Sequence, residues 1–327
     1  MILAHSLDEI ASCLLRGSAA TWGNFDGVHL GHQALLGCLT AKARSLGLPA
    51  AVITFDPHPL DFFSPGSAPR ALTCTADKLA MLARLGVDYA LVLPFNASFA
   101  GQSPEEFARE TLVRSLRVKA LVLGHDLGFG RRREGGFELL RRLGADYGFS
   151  VERAPTVGAP SGCEVPGPVS STAVREAIRA GALEQAAAML GRRHSVCGAV
   201  QRGAGRGGPL LGFPTANIDP GPLLLPPRGV YACLAKTDTA LCPAAANLGL
   251  NPSFDHGREV LEAHLLDFAG DLYDKELRLY FLRFLRPERK FASPEELKRQ
   301  IALDAAEARR IAGEAIADKN FAVLFPL

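Results

Sequence analysis

A change of rhythm near residue 186 divides this 327-residue sequence into halves that call for different folds. Before it, short apolar runs alternate with helical periods. The strand runs are Ala19–Trp22, Ala51–Phe55, Tyr89–Leu93, Ala120–Leu123 and Phe149–Arg153. Between them apolar residues recur at helical spacing, as in Leu35, Leu36, Leu39, Ala43 and Leu46, or Leu79, Leu82 and Leu85. Ser103-Pro104-Glu105-Glu106 is a capping box with proline at the first helical position. Such alternation predicts an α/β fold, a parallel sheet with helices on both faces. After the change, Gly and Pro are dense through Gly203–Pro227 and the pattern turns to period two. Val260, Glu262, His264 and Leu266 share one strand face and Leu261, Ala263 and Leu265 the other, and Glu276–Phe284 reads as a second long strand. Strands in series predict an antiparallel sheet or a small barrel. A second capping box, Ser293-Pro294-Glu295-Glu296, opens a C-terminal helix with Leu297, Ile301, Ala305, Ala308, Ile311 and Ala315 near one face. The expected domains are 1–185 and 186–327.

Length supports two cores, because single cores stop growing at roughly 250–300 residues. Apolar residues make up 48% and charged residues 21% of the chain, a globular balance. A net charge of +2 gives no electrostatic case for nucleic acid. The local run Arg131-Arg132-Arg133 reads either as a solvated loop or as an anion contact. At the start, MILAHSLDEIASCLLRG has no basic leader, and Asp8 and Glu9 interrupt its apolar pattern; it reads as an amphipathic helix, not a signal peptide. No apolar run approaches the roughly 18 residues of a membrane span. Seven scattered cysteines without a CxxC pair read as reduced, mostly structural thiols, and the expected compartment is the cytoplasm.

The densest motif is Gly23-Asn24-Phe25-Asp26-Gly27-Val28-His29-Leu30-Gly31-His32, where the first strand run gives way to a helix. Helix N-termini attract phosphate, and the glycines let the backbone turn and approach a ligand. His29 and His32, one turn apart, can both donate to a phosphate as charge develops. The pair is open to other readings, as zinc ligands lacking a third partner or as ordinary surface histidines. The motif is neither a Walker loop nor a dinucleotide fingerprint. Gly124-His125-Asp126-Leu127-Gly128-Phe129-Gly130 follows the fourth strand run, at the end where open α/β sheets bind ligands. Ser170-Ser171-Thr172-Ala173-Val174-Arg175 begins another helix and offers hydroxyls and a guanidinium to phosphate, though by itself it is also a plain helix cap. Together the three segments predict a nucleoside triphosphate site.

In the second half, Gly212-Phe213-Pro214-Thr215-Ala216-Asn217 sets a hydroxyl and an amide oxygen two residues apart on one side of an extended segment. Neutral oxygens of this kind suit Mg²⁺ already neutralised by nucleotide phosphates, although a turn without a ligand has the same pattern. Glu262 is a candidate general base, since phosphoryl transfer to an alcohol needs a proton acceptor, while a lone strand glutamate is commonly only solvated.

Taken in order, these segments resemble the bacterial bifunctional riboflavin kinase/FAD synthetase family across essentially the whole chain. The likeness extends to Val52-Ile53-Thr54-Phe55-Asp56-Pro57-His58-Pro59, Phe95–Phe107, Arg228-Gly229-Val230-Tyr231-Ala232, Asn247–Phe254, Glu262–Tyr273 and Arg286–Phe291. It implies a Rossmann-like nucleotidyltransferase domain that joins AMP from ATP to FMN, and an antiparallel β-barrel with a trailing helix that phosphorylates riboflavin. By the resemblance, Gly23, Phe25, Asp26, His29, Gly31, His32, Asp126, Ser171, Thr172 and Arg175 hold ATP for adenylylation. His29 and His32 act on the α-phosphate. Thr215 and Asn217 take Mg²⁺–nucleotide, Glu262 is the kinase base, and Phe129 and Arg286 lie near flavin. The implied partners are ATP, riboflavin, FMN and FAD, with neither nucleic acid nor membrane; the sequence sets no oligomeric state. Leu127 stands where an aromatic residue is common, Ser253 where threonine is usual and Asp274 where glycine is frequent, and Gly205–Leu211 is slightly expanded. These departures bear on flavin affinity and flap geometry. The alternatives are a version with one module not turning over, a flavin- or nucleotide-binding regulator, and a related transferase with another acceptor. A regulator has no use for Glu262, and the Pro-Thr-Ala-Asn segment argues against the last.

Overall fold

The computed structural model describes residues 1–64, 66, 68–125, 128–161, 163, 167–202, 212–250 and 259–317. Asp126, Leu127, Ser253 and the Gly205–Leu211 expansion lie outside the described residues. The chain divides into two compact units, one formed by Met1–Pro69 with Thr75–Ala159 and Pro166–Val169, the other by Arg70–Cys74, Pro160–Val165 and the chain from Ser170 onward.

The first unit runs β1 (Ile2–Ala4), α1 (Leu7–Cys13), β2 (Ser18–Trp22), α2 (Leu30–Leu46), β3 (Ala50–Phe55), α3 (Pro59–Phe63), α4 (Thr75–Arg84), β4 (Tyr89–Leu93), α5 (Ala97–Ala100), α6 (Pro104–Glu106), β5 (Val118–Leu123), α7 (Phe137–Tyr147) and β6 (Ser150–Arg153). Six strands form one sheet in the order β1-β4-β3-β2-β5-β6, and every neighbouring pair is parallel. This is the expected Rossmann-like sheet. Its four central strands, β2, β3, β4 and β5, are buried nearly throughout, as parallel strands covered on both faces must be, whereas the edge strands β1 and β6 are mostly exposed. The opening segment differs from the sequence expectation of a single helix. Ile2–Ala4 pairs with Tyr89–Leu91 at the sheet edge, and only Leu7–Cys13 is helical, capped by Ser6. Three residues are too few for a strand period to be distinguished from a helix start. The Ser103 capping box forms in full, after which Phe107–Ser115 continues as a π-helix that buries Phe107, Ala108 and Leu112.

The second unit holds α8 (Ser171–Arg179) and α9 (Leu183–Leu190). The strands β7 (Ser195–Gln201), β8 (Ala216–Ile218), β9 (Gly229–Lys236), β10 (Leu241–Leu250), β11 (Glu259–Leu265) and β12 (Glu276–Arg286) follow, and then α10 (Pro294–Ala317). The strands close into an antiparallel barrel, β10-β11-β8-β7-β12-β9. Closure joins the strands into a ring, so among the described residues every barrel strand has a neighbour on each side. Alternate residues fill the interior: Ile218, Tyr231, Cys233, Ala246, Leu248, Leu261, Ala263, Leu279 and Phe281 belong to one core. β11 ends at Leu265, one residue short of the expected Leu266, and β12 runs to Arg286, two beyond the expected Phe284.

Candidate active sites

In the parallel sheet, β2 has β3 on one side and β5 on the other. The chain leaves β2 through α2 towards β3, so the direction of winding reverses between β2 and β5. Ligands of open α/β sheets bind at the carboxyl ends of strands where this reversal occurs. Gly23 follows the carboxyl end of β2 and Gly124 that of β5, so the fold brings two of the three predicted segments to adjacent strand ends.

His29 is the N-cap of α2, and its Nδ1 accepts the His32 backbone N–H at 3.3 Å. Because Nδ1 is the acceptor, the ring proton sits on Nε2, which becomes a donor. The His29 and His32 rings stack with centroids 3.7 Å apart, and Phe25 lies 5.1 Å from His32. Of the motif glycines only Gly27 has a left-handed φ, 81°; Gly31 serves close approach, since a Cβ there would lie 3.1 Å from the His29 ring and 3.3 Å from the Val169 carbonyl oxygen. Phe25 (φ 51°) and Val28 (φ 38°) also take positive φ. A bulky or β-branched residue there costs about 1–3 kcal/mol, and the surroundings must hold it. They do. Phe25 is 1% exposed, the Gln33 side chain donates to the Val28 carbonyl at 2.9 Å, and Thr54 donates to the Asn24 carbonyl at 3.3 Å. Asp26 is buried within the same turn.

Ser171, Thr172 and Arg175 lie on α8, in the second compact unit. Ser170 is the actual cap, accepting from Ala173 N at 3.1 Å, and Arg175 is buried with Nε donating to the Arg70 carbonyl at 3.0 Å. Among the described residues, no group of three or more His, Cys, Asp or Glu is arranged to hold a metal ion.

An aromatic cluster borders the first site and was not anticipated as a unit. Trp22 packs edge-on against Phe107 and Phe129 at 5.3 and 5.7 Å, and those two rings meet tilted at 5.7 Å. The series continues through Phe99, Phe55 and Phe95 to Phe62 and Phe63. Phe129, expected near flavin, is 6% exposed at the covered end, whereas Phe63 is 61% exposed at the open end. The signal for the open end is the pair Phe62-Phe63 closing a short proline-started helix.

On the barrel, register lines up the second site. Asn217 of β8 stands opposite Glu262 of β11, and Glu262 opposite Asn247 of β10. Their neighbours in sequence point into the core, so these three polar residues share the outer face. Thr215 precedes β8 on that same side and is exposed. His264, two residues after Glu262, donates from Nδ1 to the Pro214 carbonyl at 2.7 Å and meets the Phe213 ring edge-on at 5.3 Å, which fastens the Phe213-Pro214-Thr215 segment beside Glu262. Burial pushes the Glu262 carboxyl above its ordinary pKa, and the nearby Glu288 carboxylate adds to the rise. Glu288 also accepts from Asn247 Nδ2 at 3.4 Å and fits against Gly249, where a Cβ would lie 2.1 Å from its Oε1. Arg286 forks onto Asp304 of α10 at 2.7–3.1 Å, with the two side chains 18% and 8% exposed, and its guanidinium lies 5.6 Å from the Phe291 ring. Sequence reasoning reached Glu262, Asn217 and Thr215 but missed Glu288 and His264.

A parallel sheet with a histidine-capped helix at its switch point, and a barrel with a raised carboxyl beside neutral oxygen donors, fit a two-module nucleotide-dependent transferase. Residues 12–172 match the FAD synthetase family and residues 190–312 the riboflavin kinase family. The chain is 40% identical over 96% of its length to the bifunctional riboflavin kinase/FMN adenylyltransferase of Escherichia coli K12, covering 98% of that protein. It is 43% identical over 91% of its length to the Pseudomonas fluorescens protein of the same description, covering 94% of it. A crystal structure described as a macrolide-efflux protein from Streptococcus pneumoniae superposes with a TM-score of 0.81 at 29% identity, covering 94% of this chain and 98% of that one. Among the described residues no helix is long and apolar enough to cross a membrane. The chain belongs to the bifunctional riboflavin kinase/FMN adenylyltransferase family and is an enzyme with both activities.

Proposed function

We propose that the two activities run in sequence on the residues described above, ATP phosphorylating riboflavin on the barrel and a second ATP adenylylating FMN at the parallel sheet. The observation that carries this reading is the pairing of unlike chemistries in one chain. FMN already presents an anionic phosphate nucleophile, so its site needs donors and no base. The ribityl hydroxyl of riboflavin is neutral, so its site needs a proton acceptor.

In the first site the Nε2–H of His29 donates to an α-phosphate oxygen as the FMN phosphate attacks and pyrophosphate departs, with His32 stacked beside it. Gly23, Phe25, Asp26 and Gly31 shape the phosphate cradle, and Asp126, Ser171, Thr172 and Arg175 contribute nucleotide contacts. The exposed rings of Phe62 and Phe63, packed on the partly covered Phe95, offer a stacking surface for the flavin, with Phe129 backing the cluster. In this reading the adenylyltransferase module takes residues 1–185 and the kinase module 186–327.

In the second site Glu262 takes the hydroxyl proton as the γ-phosphoryl group leaves ADP. Thr215 and Asn217 would hold Mg²⁺ through neutral oxygens, which fits an ion whose charge the triphosphate already balances. That ion supplies charge neutralisation so that an oxygen nucleophile can approach. Arg286, fixed by Asp304, borders the flavin through the Arg286–Phe291 segment. The substrates are those of cytoplasmic cofactor synthesis, without nucleic acid or membrane partners.

Incubating the purified protein with riboflavin, ATP and Mg²⁺ is expected to yield FMN and then FAD on chromatography, and chelation of the metal to stop both steps. FMN without FAD after long incubation would leave only the kinase.

The acid side of the kinase profile gives a further check. Only the ionised Glu262 can accept a proton, and a raised pKa means that ionisation is lost at a higher pH than for an ordinary carboxylate. Replacing Glu288 by Gln removes the like charge, so the acid limb of kcat against pH should move to lower pH. An unmoved limb would assign the whole rise to burial.

A further inference from the structure

The chain leaving β12 crosses the end of β9 and lays a carboxylate on β10. Arg286 stands opposite Val230, Val230 opposite Asn247, Asn247 opposite Glu262 and Glu262 opposite Asn217, one row across β12, β9, β10, β11 and β8. Arg286 is fixed by its fork onto Asp304. Two glycines admit the segment that follows. A Cβ at Gly229 would lie 2.6 Å from the Arg286 carbonyl oxygen, and one at Gly249 would lie 2.8 Å from the Glu288 carboxyl carbon. Asn247 Nδ2 donates to Glu288 Oε1 at 3.4 Å.

Gly249 lies two residues beyond Asn247, on the same strand face, and opposite Val260. It is therefore a diagonal neighbour of Glu262, about 7–8 Å away. The carboxylate that fills the place of its side chain belongs to an exposed residue. Like charge beside Glu262 is unfavourable and adds to the rise in the Glu262 pKa. An exposed glutamate on an unconstrained segment would turn to water, yet the fold seats this one. A carboxylate has about four acceptor positions and no donor, and Asn247 takes one of them. The ligand that suits the rest is neutral, carries hydroxyl donors along a chain, and ends in a hydroxyl at Glu262. The ribityl chain of riboflavin has this form.

We propose that Glu288 is a specificity-determining residue of the kinase site, its carboxylate, seated over Gly249 and held by Asn247, accepting hydrogen bonds from the interior hydroxyls of the ribityl chain. Bonds from O–H to an ionised acceptor are the strong ones, and a pair from neighbouring carbons fixes the direction of the chain. The terminal hydroxyl is thereby delivered to Glu262. Glu288 takes no proton in this role.

The inference rests on Glu262 being the base that meets the terminal hydroxyl. The test uses the full chain with Glu288→Ala and Glu288→Gln, riboflavin as substrate, and as competitor a flavin whose ribityl chain is replaced by an unsubstituted hydroxypentyl chain. That analogue keeps the ring system and the terminal hydroxyl and lacks the interior ones. The parent should bind riboflavin more tightly than the analogue, read as KM against inhibition constant. Glu288→Ala should raise the KM for riboflavin about 10–10²-fold, with kcat nearly unchanged and the inhibition constant of the analogue unmoved. Glu288→Gln keeps one acceptor oxygen and should recover part of the loss. FMN adenylylation on the same samples should match the parent. Equal weakening of riboflavin and analogue would leave Glu288 a structural duty only and overturn the proposal. So would an unchanged KM for riboflavin, or a parent that binds the two flavins alike. Gly249→Ala retains Glu288 but fills its seat, and it should repeat the selective loss; parental discrimination in that variant overturns the proposal too. Glu262→Gln run alongside separates the two ideas. Near wild-type phosphorylation in Glu262→Gln removes the base, whereas an inactive Glu262→Gln beside an unselective Glu288→Ala removes only the role of Glu288.

Discussion

His29→Ala is expected to lower FMN adenylylation by on the order of 10²–10³-fold while riboflavin phosphorylation continues nearly unchanged. The magnitude is that of one oxyanion-type donor, roughly 2.7–4 kcal/mol. It applies because the Nδ1 acceptor bond from His32 N fixes the tautomer, leaving Nε2–H to donate where charge grows on the α-phosphate. Alanine also removes the N-cap of α2, which by itself costs about 0.5–2 kcal/mol of stability. That second effect is structural and can be subtracted. His29→Asn keeps a capping side chain and removes the imidazole donor, so it should fold better than alanine yet remain impaired in rate. Equal loss of both activities in His29→Ala would mark His29 as a structural residue.

The sequence made the two architectures legible for different reasons. In the first half the runs that become central strands are nearly continuous apolar stretches, because parallel strands in mid-sheet are buried on both faces; Tyr89–Leu93 is found as expected. In the barrel the period-two alternation around Glu262 is the imprint of one face on the core and one outside. What stayed hidden depends on tertiary placement. β1 is three residues long and gains its identity only from pairing with β4. α4 shows an apolar period through Leu79, Leu82 and Leu85, yet the helix is rotated so that Asp77 and Lys78 face inward. A charged pair on a short helix carries no mark that it will be buried. Glu288 follows the end of β12 among exposed charged residues, and only the barrel's closure brings it to Glu262, which lies 26 positions earlier in the chain.

The candidate sites were legible in a similar, uneven way. Gly23–His32 stands out because one short stretch must satisfy a turn, a helix start and a ligand together. Thr215, Asn217 and Glu262 are unremarkable singly, and the β8–β11 register is what sets Asn217 opposite Glu262. Arg286 stood out by resemblance alone, and its bidentate pair with Asp304 gives it a structural duty as well. Removing either partner of so buried a pair costs about 3–5 kcal/mol, so loss of activity on changing Arg286 does not by itself report flavin contact.

Glu262→Gln should stop the kinase and spare the adenylyltransferase. Glutamine keeps the length of the side chain and one acceptor oxygen, and the strand's inward neighbours Leu261 and Ala263 are untouched, so the barrel should close as before. It cannot take the proton from the attacking hydroxyl, and loss of a general base typically lowers the rate about 10²–10⁴-fold. The substitution also removes a carboxyl whose ionised form is disfavoured by burial and by Glu288, so the variant should be no less stable than the parent near neutral pH. The sign follows from the raised pKa. Protonation is favoured in the folded state, so the ionised glutamate opposes folding above its ordinary pKa, and neutral glutamine relieves that opposition. A variant with raised or equal thermal stability, full conversion of supplied FMN to FAD and no phosphorylation of riboflavin is therefore the expected result. Near wild-type phosphorylation would show that another group, Glu288 first among them, accepts the proton.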